Sequence, residues 1–118
     1  MLTNKCKAFD ELLLTAIDEA LVSLGESVKQ SIYFHMESKF CVPRQDIPDN
    51  LNQFQEGLEK IFGAGARFIE ILIMKNLYAK IGQPLIVEKS DQLEFIEYVN
   101  TAKQSFLKKY HEAEAVES

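Results

Sequence analysis

Ile61 to Ile81 reads IFGAGARFIEILIMKNLYAKI, apolar on every side and yet too interrupted by charge to cross a membrane. At about 100° per residue, Arg67, Glu70, Lys75, Asn76 and Lys80 scatter around a helix. Phe68, Ile69, Ile71, Leu72, Ile73, Met74, Leu77 and Tyr78 fill the intervals between them. A helix with no continuous polar face needs cover from other helices. The segment therefore predicts an all-α protein, a compact five-helix bundle with a central buried helix at about 64–81. Gly63 and Gly65 break the periodicity before it, and Gly82 offers a left-handed stop after it.

Four further helices follow from the flanking periodicities. Upstream, Leu51, Phe54, Leu58, Ile61 and Phe62 share one helical register, opened by Asn50 with Gln53 three residues on, which has the form of an N-terminal box. Glu56 and Lys60 form an i,i+4 surface pair on that helix. The small residues from Gly63 to Ala66 predict a close approach of two helices at their corner, so that Gly65→Val is expected to destabilise the fold. A loop is expected from Pro43 to Asp49, with Ile47, extended before Pro48, as a buried anchor. Val28, Ile32, Tyr33, Met36 and Phe40 mark another helix, ending near Val42 because the residue before Pro43 avoids the helical region. Two capping boxes compete for its start, Ser27 with Gln30 and Ser23 with Glu26.

The first helix carries Phe9, Leu13, Ala16, Ile17, Ala20, Leu21 and Leu24 on one stripe, with Gly25 as its stop. Leu12 and Leu14 widen that arc enough for two neighbours. Downstream, Leu85 to Val87 reads as an extended linker. Ser90 is the expected N-cap of a last helix, about 90–111, which carries Ile96, Val99, Ala102, Phe106 and Tyr110. Glu112 to Ser118 is small and acidic and is expected to fray.

The 118 residues make one domain, 1–118, with a hydrophobic fraction of 47% and eight Phe against three Pro, which suits a folded helical chain. The net charge of −5 comes from mixed signs with no basic block, which disfavours nucleic acid. A nucleic-acid-binding regulator remains the first rival reading and would rely on Lys29, Lys39, Lys103, Lys108 and Lys109. Met1 to Lys7 has no apolar run of signal-peptide length, and the next apolar stretch carries Asp10, Glu11, Asp18 and Glu19. The expected setting is cytoplasmic with no membrane partner, and Cys6 and Cys41 are then two unrelated thiols.

Chemistry is sparse. Cys6, His35, Cys41 and His111 show no zinc-type spacing, and neither a metal nor another cofactor is expected. His35 shares its helix with Ser27, Ser31 and Ser38, but such pairs are common on helix surfaces and no third orienting group is in view. Asp18 and Glu19 diverge on a helix and read as solvated charge. Gly63-Ala64-Gly65 lacks the preceding strand and third glycine of a dinucleotide fingerprint. No catalytic residue is assigned, and the chain is read as a non-enzyme.

The candidate interaction surface is Phe34, His35, Leu12 and Leu14. Phe34 points away from the face formed by Val28, Ile32 and Met36. Either the last helix or the tail covers it, or it is an exposed anchor for a protein partner or a second copy. A second rival, a ligand carrier or small enzyme, would need an apolar interhelical cavity lined by Tyr33, Met36, Phe68 and Tyr78.

The tracts Asp18-Glu19-Ala20-Leu21 and Leu24 to Glu37, then Ile47-Pro48, Phe54 and Leu58 to Ala66, resemble a small archaeal all-helical domain family of unknown function. That family is described as an output domain of archaeal signalling proteins. The resemblance covers about 18–82. It implies an archaeal origin, a cytosolic setting and a signal-output role exercised by contact, and it brings no catalytic residues.

Overall fold

The structure is a computed structural model that describes the backbone of residues 2–85 and 94–117 and the side chains of residues 7–85 and 94–109. Among these residues there are five α-helices and no strand: α1 (Leu2–Val22), α2 (Glu26–Phe40), α3 (Leu51–Phe62), α4 (Ala66–Ile81) and α5 (Phe95–Glu117). Short 3-10 turns at Arg44–Asp49 and Gly63–Gly65 join α2 to α3 and α3 to α4.

Helix α4 is the hub. It packs most extensively along α1 and is flanked by α3 and α5. Ile69, Ile73, Met74 and Leu77 meet a core that includes Phe9, Leu13, Ile17 and Leu21 of α1. Ala16, Ala20 and Ala66 are almost fully buried, and small side chains at helix contacts allow short interaxial distances. Helix α5 closes the far side with Phe95, Val99 and Ala102, and the Phe106 ring lies 5.8 Å from that of Phe9. Two polar ties fix α5 to α4: the Tyr78 hydroxyl donates to the Tyr98 carbonyl at 2.8 Å, and Lys109 Nζ donates to the Ile81 carbonyl at 3.2 Å. The wrapping of α4 is incomplete, because Phe68 is 60% exposed.

Helix boundaries differ from the sequence reading where tertiary geometry competes with local caps. Neither Ser box opens α2: the Ser23 hydroxyl donates back to the Ala20 carbonyl, Gln30 Nε2 donates to Glu26 Oε1, and Gly25 at φ 122° holds the N-cap position. A side-chain residue would be strained there. Asn50 likewise turns its amide to the Asp46 carbonyl instead of capping α3. Helix α2 ends at Phe40, with Cys41 left-handed at φ 57° and the Val42 N–H reaching the Met36 carbonyl. Cys41 is a free, exposed thiol. The expected loop anchor Ile47 is buried, within a 3-10 turn.

The corner expected at Gly63 to Ala66 buries Ala66 but is open at its two glycines. A Cβ on Gly63 would meet nothing within 4 Å, and one on Gly65 would sit at 3.7 Å from Phe62 Cβ. The close approach lies instead at Gly57 in the middle of α3, where a Cβ would fall 2.6 Å from Met36 Sδ and 3.2 Å from Phe40 Cδ2. The α5 backbone is helical to Glu117, past the end expected near 111; Ala and Glu there are good helix formers. The expected linker residues Ile86 and Val87 and the expected N-cap Ser90 lie outside the described residues.

Candidate interaction groove

Helices α2 and α3 run antiparallel. Gly57 faces Met36 and Phe40, whereas Ile61 and Phe62, one turn on, lie beside the stretch from Val28 to His35. Ile32 and Met36 turn into the core. The next positions around α2 lie about 80° to 180° away from that inward face, in the order His35, Ser31, Ser27 and Phe34. That side of α2 and the end of α3 leave a groove.

Two adjoining hollows of about 310 and 420 Å³ make up this groove, and they share His35 and Ile61. The first is lined by Ser27, Val28, Ser31, Ile32 and Phe62, the second by Lys39, Phe40 and Lys60. Phe34 lines neither hollow; it is 67% exposed, with its ring edge-on to His35 at 5.9 Å. Ile61 on the opposite wall is 37% exposed. His35 Nδ1 is buried and has no hydrogen-bond partner among the described residues; such an atom lacks both water and a protein partner. Lys60 Nζ lies 5.7 Å over the Phe40 ring, a cation–π arrangement that keeps its charge at the groove end.

Of the four residues read as an interaction surface, the fold brings two together. Phe34 stands against His35, which lines the groove, and among the described residues α5 makes no contact with α2. Leu14 is buried in the core and Leu12 packs against it, so neither contributes to that surface. The reason is that α1 contacts α2, α4, α5 and the Arg44–Asp49 turn, which uses up both flanks of its wide apolar arc.

Tyr33, Met36, Phe68 and Tyr78 do not line a common cavity. Tyr33 bonds Asp18, Met36 packs on Gly57, Phe68 faces outward, and Tyr78 bonds Tyr98. The Ser38 hydroxyl donates to the Phe34 carbonyl at 2.7 Å and forms no dyad with His35.

Several polar arrangements escaped the sequence reading, among them the Lys80–Glu19 pair at 2.9 Å between α4 and α1. Asp18, read as solvated, is the centre of a tie between three elements. Tyr33 OH donates to its Oδ1 at 2.5 Å, and Arg44 reaches it in a fork, Nε to Oδ1 at 3.0 Å and Nη2 to Oδ2 at 2.5 Å. Burial alone would raise the Asp18 pKa, but the hydrogen bonds from Arg44 and Tyr33 outweigh it and hold the carboxyl below its ordinary value. Burial and the Asp18 contact push the Tyr33 phenol up. The 26-residue separation of Asp18 from Arg44 leaves no local signal. Glu70, 4% exposed on α4, accepts from Gln55 Nε2 of α3 at 3.2 Å. Burial raises its pKa, the Gln55 bond opposes this, and Glu59 adds to the rise.

No family model and no solved structure matches the chain. The ATP-dependent RNA helicase FAL1 of Candida albicans is 21% identical over 94 residues, which cover 79% of this chain and 24% of that protein. The chain thus spans about a quarter of the length of that relative. No helix among the described residues is long and apolar enough to cross a membrane.

Proposed function

We propose that this protein is a non-enzymatic protein-interaction module with a signal-output role, and that the α2–α3 groove under Phe34 is its contact surface. The observation that carries the reading is Phe34 itself, 67% exposed with its ring against His35, a residue that lines the apolar groove. A large aromatic held in water beside an unfilled apolar surface is the usual form of a contact anchor. The tracts that carry the resemblance to the archaeal output family, Leu24 to Glu37 and Leu58 to Ala66, supply most of both walls, which supports the signal-output role and a cytoplasmic setting.

The nucleic-acid alternative is less well supported. Lys29 pairs with Glu26 at 3.2 Å and Lys109 is engaged by the Ile81 carbonyl, which removes two of the five cations it would use. The 21% likeness to an RNA helicase reaches 24% of that protein and is too slight to revive it.

The test is retention from a native extract on immobilised wild type and on Phe34→Glu, with light scattering of both proteins across a wide concentration range. A protein retained by wild type and lost from the variant, or a dimer broken by the variant, supports the proposal. Identical retention and identical molar mass for the two proteins contradict it.

A further inference from the structure

We infer that the α2–α3 groove takes an amphipathic helix of about three turns, with its apolar edge over His35 and Ile61 and an acidic end against Lys39 and Lys60. The inference rests on the contact role proposed above and adds the chemistry of the partner.

Length comes first. The groove follows α2 from Ser27 to Lys39, about 18 Å at the α-helical rise of about 1.5 Å per residue. That matches the edge of a helix of about 12 residues with anchors at i, i+4 and i+7. The floor and walls, Val28, Ile32, Phe40, Ile61 and Phe62, are apolar, and the fourth side is open, so an occupant's other face stays in water. Strand addition needs a sheet edge, and the described residues contain no strand.

Charge then fixes polarity. The charged side chains that line the groove are Lys39 and Lys60, both at one end, while the other end is lined by the neutral Ser27 and Ser31. A carboxylate on the partner, or the negative C-terminal end of its helix dipole, is stabilised at the lysine end.

The probes are two stapled helical peptides of about 14 residues with the same leucine edge, one ending in two Glu and the other in two Lys. Each is titrated into isotope-labelled full-length protein, and amide shifts are followed by NMR. The Glu-ended peptide is expected to shift Ser31, His35, Lys39, Lys60 and Ile61, and to bind about threefold to tenfold tighter than the Lys-ended one at low salt. The Lys39→Glu/Lys60→Glu double variant is expected to reverse that order. Equal affinities with no reversal overturn the charge assignment. Shifts outside the groove, or no binding by either peptide, overturn helix docking; the contact role would still stand if Phe34→Glu releases a retained protein. Shifts of the same amides with protein concentration alone would assign the groove to a second copy and overturn the inference.

Discussion

Gly57 of α3 lies so close to Met36 of α2 that a Cβ there would fall 2.6 Å from the Met36 sulfur. Glycine inside a helix costs about 1 kcal/mol relative to alanine, and at this position the cost is offset by the approach of two helices. The groove is the outer edge of that approach, so Gly57 sets its geometry as well as its stability. Gly57→Val is expected to destabilise by about 1 to 3 kcal/mol through overpacking against a fully buried Met36. Gly65→Val, whose Cβ would make an ordinary contact with Phe62 Cβ at 3.7 Å at a φ of −68°, is expected to change stability by less than about 0.5 kcal/mol. Denaturant melts of the two variants check the contrast, and a larger loss at Gly65 would refute it.

The Asp18–Arg44 fork joins α1 to the turn after α2, and Tyr33 shares the same carboxylate. Asp18→Asn is expected to cost about 1 kcal/mol at neutral pH, near the low end for charge-assisted bonds because both ionic partners are partly exposed. The folded pKa of Asp18 lies below its ordinary 3.8. Its contribution is therefore full above the unfolded value and is lost as pH falls through the folded one. The stability gap between wild type and Asp18→Asn should close below about pH 3.8 and stay constant above about pH 5. A gap that persists in acid would show that the asparagine disturbs packing instead.

Glu70 has the opposite sign. Its folded pKa lies above 4.5, so the protonated form is the one the fold favours. The stability it contributes is full below pH 4.5 and is lost as pH rises through the folded value. Glu70→Gln keeps an acceptor for Gln55 and removes the buried charge. It is expected to melt higher than wild type at pH 7 and at about the same temperature near pH 4. A variant less stable than wild type at pH 7 would contradict this.

How much of this was legible in the sequence depends on whether the information was periodic. The stripe from Phe9 to Leu21 and the density of apolar residues from Ile69 to Tyr78 recur at helical spacing, and they define α1, α4 and their contact. Gly82, at φ 69°, is the expected stop. The odd direction of Phe34 within α2 also shows in that spacing. Two features do not repeat and so leave no pattern: the choice of Gly57 over Gly65 for the close approach, and the Asp18–Arg44 fork. Each is set by which helices meet, a property of the whole fold. The capping boxes failed for a related reason, since Ser23 and Asn50 found backbone carbonyls within reach as alternatives to the helix N–H groups.

Phe34 and Phe68 are comparably exposed, at 67% and 60%, but the Phe34 ring stands against His35, which lines the groove, whereas Phe68 belongs to α4, which contributes no lining residue to either hollow. Both Phe34→Glu and Phe68→Glu should leave stability within about 0.5 kcal/mol of wild type. Only Phe34→Glu should release a partner. Equal release by both variants would point to non-specific hydrophobic adhesion in place of a defined site.

The most direct measurement is photocrosslinking in the native cell, with a photoreactive phenylalanine analogue at position 34 and, separately, at position 75 on the exposed outer side of α4. A discrete crosslinked protein from position 34 and none from position 75 is the predicted result. The same products from both positions, or none from position 34, would contradict the assignment of the α2–α3 groove as the contact surface.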